Sequence, residues 1–379
     1  MKKIVIIGAN SFQNPLILKA KEMGYETHVF AWEDGAVGKE TADYFYPISI
    51  TEKEQILEKC REIQPDGVAT IGSDLANVTA QYLAKQLGLP CNSEECIYIS
   101  TNKYAMREAF MKAGVAVPYF VKVTEQDDFE KVTAQMKFPV IVKPTDRSGS
   151  RGITKVDSVT KIADAVKAAT KDSFEKCAVI EEYIEGEEYS CECISYQGQH
   201  TVLAVTKKYT TGSPHFIETG HLEPAPLTKE IYEKVKQEIP KALDALKIRQ
   251  GASHPEFKIS PDGEIRFIEI GSRMGGDCIG SHLVPLSTGY DFTKMVIQAA
   301  VGERPEIVQN QSEAYAAIRF IFSQEDFEIY QKQKANHPES LVFVSEIDPI
   351  GEHEVVDSST RYGYFIMASR SMDDIRNVF

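Results

Sequence analysis

What most constrains this chain is the alternation of strand-like and helix-like stretches through its first ninety residues. Residues 3–7 are apolar and β-branched, and residues 15–23 have helical spacing that Gly24 stops. A strand at 27–31, a helix at 52–62, a strand at 67–71 and a helix at 77–87 closed by Gly88 continue the series. Strands joined by helix-length crossovers pair in parallel with right-handed connections, so a parallel sheet is predicted. Gly8-Ala9-Asn10, directly after the first strand, reads as a nucleotide-binding turn. It lacks a full G-x-G-x-x-G, and an ordinary tight turn would look the same.

Past residue 100 the alternation gives way to hairpins. A charged helix at 102–113 ends at Gly114, a strand lies near 118–122, and a strand at 138–143 runs into the loop 144–152. A strand at 178–182, a hairpin of 188–196 with 200–206 around Gln197-Gly198, and an amphipathic helix at 231–246 follow. A second hairpin spans 256–269 around Asp262-Gly263; short strands at 314–322 and 364–369 accompany a helical segment near the end. The 379 residues suffice for two or three domains. A net charge of −14 argues against a nucleic-acid partner, which needs a Lys/Arg patch, but not against a nucleotide held by local cations. No apolar run reaches transmembrane length, so no membrane partner is expected. The run after Met1-Lys2-Lys3 is too short for a secretory signal and reads as a buried first strand of a cytoplasmic protein. Seven scattered cysteines argue against a disulfide framework. Cys191 and Cys193 share one face of a strand, but without a second Cys/His pair they read as buried thiols rather than a metal site.

Four features carry chemistry. The loop Asp146-Arg147-Ser148-Gly149-Ser150-Arg151-Gly152 follows a buried strand, and its small residues let backbone N–H groups turn toward one anion. Lys143, at the strand's end, reaches a phosphate as a point charge. Taken alone, the loop would also suit a plain surface turn. Residues 181–188 hold five carboxylates in eight positions, after the apolar 178–180. An acidic acceptor there suits an adenine amine or a ribose; a solvated turn is the bland alternative. The sharpest feature is the second hairpin. If Asp262-Gly263 is a two-residue turn, Pro261 faces Glu264, Ile259 faces Arg266 and Glu256 faces Glu269. Facing carboxylates, with Cβ atoms roughly 4.5–5.5 Å apart, repel and call for a shared proton, a basic partner or a divalent cation. Oxygen-only ligands suit Mg²⁺, although salt bridges to Lys258 and Arg273 would also answer the repulsion. Arg273, in Gly271-Ser272-Arg273-Met274-Gly275-Gly276-Asp277, stands beside Glu269, where a guanidinium can stabilise a transferring phosphoryl group.

As a set, and in order along nearly the whole chain, these residues resemble the ATP-grasp superfamily, in its branch of carboxylate–amine ligases and carbamoyl-phosphate-synthase-large-subunit-like proteins. The resemblance implies a mixed α/β fold. Residues 1–95 would be a Rossmann-like pre-ATP domain, 96–300 the ATP-grasp domain with 115–190 its mobile lid, and 301–379 a small biotin-carboxylase-like C-terminal domain. It implies ATP as cofactor with one or two Mg²⁺, or Mn²⁺ in their place. Lys103, in Thr-Asn-Lys-Tyr-Ala-Met-Arg, and Lys143, in Phe-Pro-Val-Ile-Val-Lys-Pro, match the two ATP lysines. Ser148, Gly149, Ser150 and Gly152 match the phosphate flap. Glu181, Glu182 and Ile184 match the adenine hinge, with Glu181 accepting from the amine, and Glu188 matches the ribose carboxylate. Glu256 and Glu269 match the magnesium ligands, with Glu269 bridging two ions and Arg273 beside it. Residues 357–364 resemble the closing segment of the C-terminal domain. Where the family usually reads Glu-Ile-Asn-Pro-Arg, this chain has Glu269-Ile270-Gly271-Ser272-Arg273, so the Asn ligand is missing. Ser272, water or Asp277 is the expected substitute.

The resemblance implies transfer of the γ-phosphoryl group to a carboxylate, then attack by an amine on the acyl phosphate, with catalysis by Arg273 and Glu269. The partners expected are a small carboxylate and an amine, and a homodimer is compatible with the family. Lys208, His221, His282 and Arg319 are candidates for binding the acid. Two other readings stay open: a bicarbonate-activating or carbamoyl-phosphate-synthase-like enzyme, for which the chain has room for one synthetase half, and a nucleotide-binding protein without turnover.

Overall fold

A computed structural model describes residues 1–149, 151–213 and 216–379, arranged around three sheets. The first sheet is wholly parallel, as the alternation predicts. Its strands β1 (Lys3–Ile7), β2 (Glu26–Phe30), β3 (Tyr44–Tyr46) and β4 (Gly67–Ala69) lie in the order β3-β2-β1-β4. Helices α1 (Asn14–Glu22), α2 (Lys53–Ile63) and α3 (Asp74–Gln86) supply crossovers and cover. The short β3 escapes sequence reading because three aromatic residues are too few to show a period.

Helices α4 (Glu94–Thr101) and α5 (Lys103–Lys112) lead into a small antiparallel sheet. That sheet holds β5 (Phe120–Val123), β6 (Val140–Pro144), β7 (Thr154–Val156) and β8 (Ala178–Glu182) in the order β5-β8-β6-β7. Helices α6 (Phe129–Val132) and α7 (Ile162–Asp172) belong to it. The large third sheet comprises β9 (Glu187–Tyr196), β10 (Gln199–Thr210), β11 (Glu218–Glu223), β12 (Gly251–Ile259), β13 (Ile265–Gly271), β14 (Tyr315–Ile321), β15 (Leu341–Val344) and β16 (Gly363–Ser369). Its order is β13-β12-β9-β10-β11-β14-β16-β15, so the C-terminal strands extend the sheet that carries the hairpins. Helices α8 (Lys229–Ala245), α9 (Val284–Thr288), α10 (Phe292–Ala300) and α11 (Gln324–Asn336) complete the chain. None of the helices described is long and apolar enough to cross a membrane.

Packing explains why these pieces hold one relative position. The buried stripe of α8, Val235, Ile239, Ala242 and Leu243, packs with Cys191, Cys193, Phe257 and Phe267 of the large sheet. Cys191 and Cys193 are fully buried with their sulfurs 3.5 Å apart, as expected of core thiols on one strand face. Phe110 of α5 packs with its ring tilted against Phe267, centroids 5.6 Å apart, and each such buried ring contributes roughly 1.5–3 kcal/mol. A second cluster joins Ile4, Ile6 and Leu16 to Met274, Phe292 and Met295, which fastens the parallel sheet to α10 and to the chain just past β13.

The β12–β13 hairpin corrects one expectation. Ile259 pairs with Ile265, not with Arg266, and Lys258 takes Arg266. The turn is one residue longer than a two-residue turn. The Gly263 N–H donates to the Ser260 carbonyl (2.9 Å), Gly263 sits at φ +78°, and the Ser260 N–H closes onto the Glu264 carbonyl (3.0 Å). Pro261 at the second turn position and a left-handed glycine favour this three-residue loop. A bulge between Glu256 and Phe257 then restores the register, and Glu256 does pair with Glu269.

Candidate active site

The two antiparallel sheets, with Gly72 after β4 and Asp74 of α3, line one cavity of about 260 Å³. One end is apolar, formed by Ile141 and Ile153 from the small sheet's side and Ile268 and Phe216 from the large sheet's side. Tyr183 and Ile184, after β8, line the same end. Lys155 and Lys258 lie 4.0 and 4.6 Å from the Tyr183 ring centre. A flat heteroaromatic ring suits such a slot.

The other end is charged. Asn102 caps α5 by accepting from the Ala105 N–H (3.0 Å), which sets Lys103 at the first helical position. The Lys103 backbone N–H also donates to the Thr145 carbonyl (2.7 Å), tying this helix to the end of β6, where Lys143 stands. The Lys103 ammonium donates to the Arg147 carbonyl (2.8 Å) and pairs with Glu269 (2.5 Å), so it anchors the glycine-containing loop to the hairpin. Lys143 donates to Glu181 (2.5 Å), and Arg107 grips the same carboxylate through Nε (2.9 Å) and Nη2 (3.2 Å). Burial alone would raise Glu181, but Arg107 and Lys143 hold it well below the usual carboxylate range. Lys143 is lowered, first by burial and then by the nearby Arg107 and Lys103 charges.

Lys208 binds Glu256 (2.9 Å) and lies 3.5 and 3.6 Å from Glu188 and Glu218. His254, two residues before Glu256 on the same strand face, donates to Glu256 (3.0 Å) and bonds the fully buried Glu192 on its other side. Burial disfavours its charge, yet Glu192 and Glu256 raise His254 to about 9. Glu192 also accepts from the Gly275 N–H (3.0 Å). Glu256 is lowered by Lys208 and His254 despite its burial. Arg273 lies against Asp74. Asp277 is clamped by Arg361 (3.0 Å) and lies 3.4 Å from His221. The Nδ1 atom of the buried, lowered His221 has no partner among the described residues.

Lys103, Lys143, Ser148, Gly149, Glu181, Ile184, Glu188, Lys208, His221, Glu256, Glu269 and Arg273 all line this cavity. Glu182, Gly152, His282 and Arg319 do not. Strand alternation turns Glu182 away from Glu181, and its carboxylate accepts from the Lys137 N–H (2.8 Å). Arg319 faces α11 and pairs with Asp326, and His282 bonds Ser281 (2.9 Å). Ser150 lies outside the described residues. Ser272 is not placed to replace a side chain at 271: its hydroxyl contacts Asn77 (3.1 Å) and Ser100 (2.9 Å). Sequence reading missed Arg107, His254, Asp74, Glu218 and Arg361. The first two were accessible, Arg107 one helical turn after Lys103 and His254 two strand positions before Glu256.

Residues 136–281, which contain the loop, both carboxylate-bearing hairpins and Arg273, match the ATP-grasp domain family. The chain carries an ATP-grasp domain. An uncharacterised protein of Sinorhizobium fredii is 27% identical over 249 residues, 64% of this chain and 50% of that protein. Alanine–anticapsin ligase of Bacillus subtilis is 27% identical over 271 residues, 63% of this chain and 57% of that protein. The chain thus spans between half and 57% of the length of these curated relatives. The L-amino acid ligase of Bacillus licheniformis superposes with a TM-score of 0.81 at 23% identity, over 100% of this chain and 95% of that one. That likeness extends the ATP-grasp fold through both flanking regions.

The donor set of the ATP-grasp domain fits a divalent ion shared with phosphate. Glu256 and Glu269 face each other, and among the described residues no cluster of three or more His, Cys, Asp or Glu could hold a metal alone.

Proposed function

We propose that the protein is an ATP-dependent carboxylate–amine ligase, using Mg²⁺ and acting through an acyl phosphate. The observation that carries this reading is the facing pair Glu256 and Glu269 at the charged end of a cavity whose other end is an apolar slot. The likeness to a ligase of alanine with anticapsin and to an L-amino acid ligase supports an amino-acid-type acid. Adenine would occupy the slot between Ile141 and Ile268, and Glu188 would face the ribose. Lys103 and Lys143 would hold phosphate oxygens, with Ser148 and Gly149 closing over them. Glu256 and Glu269 would hold Mg²⁺, which supplies charge neutralisation at the phosphates. A carboxylate oxygen of the acid attacks the γ-phosphorus, ADP leaves, and Arg273 balances charge on the transferred group. The amine then attacks the acyl carbon; phosphate departs and the amine's proton passes to solvent. His221, from β11, lines the same cavity and would face the acid, with Arg361 of the C-terminal segment holding the neighbouring Asp277.

The test is phosphate release from Mg-ATP over a panel of amino acids, singly and in pairs. The reading expects release stimulated by one acid–amine pair, with a mass matching the amide. Stimulation by bicarbonate alone, or ATP binding without release under every condition, would refute it.

A further inference from the structure

The glycine at 271 is not required by its backbone, since it is absent from the positions with positive φ. Space accounts for it. A Cβ built on Gly271 would lie 3.1 Å from Arg273 Cζ, 3.2 Å from Arg273 Nε and 3.2 Å from Asp74 Oδ1. What fills the room is an ion pair between segments 199 residues apart. Arg273 Nε donates to Asp74 Oδ1 (2.9 Å) and Nη2 to Oδ2 (3.1 Å). Nη1 donates to the Met274 carbonyl (3.3 Å). This fork fixes the guanidinium plane and leaves further N–H groups of Nη1 and Nη2 for the cavity, which both residues line.

Asp74 has a rigid base. Ser73 caps α3 by accepting from the Ala76 N–H (3.2 Å). Asn77, one helical turn after Asp74, donates to the Ser272 carbonyl and hydroxyl, each at 3.1 Å. The Gly72 N–H donates to the Met274 carbonyl (3.2 Å). The start of α3 is therefore bonded to the chain on both sides of Arg273. The side chains of Arg273 and Asp74 are 11% and 20% exposed, so water competes little for the pair.

We propose that Asp74, from the N-terminal parallel-sheet region, is the positioning residue for Arg273, and that position 271 is glycine because this pair occupies its side-chain space. The role assigned to Asp74 rests on the ligase reading, whereas the pairing and the explanation of Gly271 do not. Without Asp74, Arg273 is free to turn onto Glu269 or Glu256, and its donors no longer stand where charge develops.

Two measurements separate these claims. In a thermal-unfolding cycle of Asp74→Ala, Gly271→Ala and the double variant, the losses are expected not to add, because either change dismantles the same pair. Additive losses would overturn the pairing. In calorimetry, Asp74→Asn is expected to bind Mg-ADP within about twofold of the parent. It should bind Mg-ADP with aluminium fluoride, a planar phosphoryl mimic, at least about tenfold more weakly, as for loss of one preorganised donor. Equal weakening of both ligands, or of neither, would overturn the positioning role. If the parent itself fails to bind Mg-ADP, the ligase reading and the positioning role fall together. The unfolding cycle still decides the pairing.

Discussion

Replacing Arg107 by Met should weaken nucleotide binding far more than it weakens the fold. Arg107 is 1% exposed and shares Glu181 with Lys143, so two cations meet one buried carboxylate. If Lys143 turns onto a phosphate, Arg107 keeps Glu181 paired. In Arg107→Met the free protein still has the Lys143–Glu181 pair. Turning Lys143 toward phosphate then strands a buried charge. Leaving one member of a buried pair alone costs roughly 2–5 kcal/mol. Because Lys143 can remain partly shared, the lower half applies, about 2–3 kcal/mol, or roughly 30- to 150-fold in affinity at 1.4 kcal/mol per tenfold. Calorimetric titration of a non-hydrolysable Mg-ATP analogue at fixed ionic strength measures this. The double variant Arg107→Met/Glu181→Gln, which removes the stranded charge, should recover to within about tenfold of the parent. Binding within about threefold of the parent in the single variant, or a double variant as weak as the single one, would refute the exchange of partners.

Glu269→Gln releases Lys103, so it should bind ATP without metal at least as tightly as the parent while phosphate release falls about a hundredfold or more; normal turnover would remove Glu269 from the metal assignment. Glu223, fully buried between Thr206 and Ser287, is raised to about 8 by burial, which those hydroxyls only partly offset. Its ordinary value is 4.5, so the folded state holds the proton longer than the unfolded one. The stabilising contribution is complete below pH 4.5 and is lost as pH rises through about 8, at up to ~1.4 kcal/mol per pH unit. Glu223→Gln should therefore gain on the parent in unfolding midpoint between pH 5 and 8, and parallel curves would sink the assignment.

How much of this was legible in the sequence depended on distance along the chain. The parallel sheet, the Gln197-Gly198 hairpin and the placement of Lys103 and Lys143 at element ends came from local patterns. The opposition of Glu256 and Glu269 was reached through two offsetting departures from a regular hairpin: a turn one residue longer than two and a bulge that restores the pairing. Proline and glycine chemistry could have signalled the longer turn, but a bulge that leaves Ile268 of β13 unpaired has no local mark. Arg319 and His282 were drawn toward the site by residue type alone. Asp74, Glu218 and Arg361 reach it through pairings over long separations, which no periodicity encodes.

Those distant partners explain how a chain of net charge −14 can hold a polyphosphate. Four cations at the charged end already have a carboxylate: Lys103 with Glu269, Lys143 with Glu181, Lys208 with Glu256, and Arg273 with Asp74. On the proposed reading, a metal alone would have to strip Lys103 and Lys208 from Glu269 and Glu256. A nucleotide alone would draw the lysines away, leaving Glu269 without its lysine and Glu256 with only His254. Arriving together, phosphate would take the lysines and the metal the carboxylates, and the buried charge would hardly change. The pairing thus penalises each ligand alone by the cost of a stranded buried charge, and the joint binding avoids it. That is why removing Glu269 should free the nucleotide from its dependence on metal for binding while abolishing what the metal is needed for in the transfer.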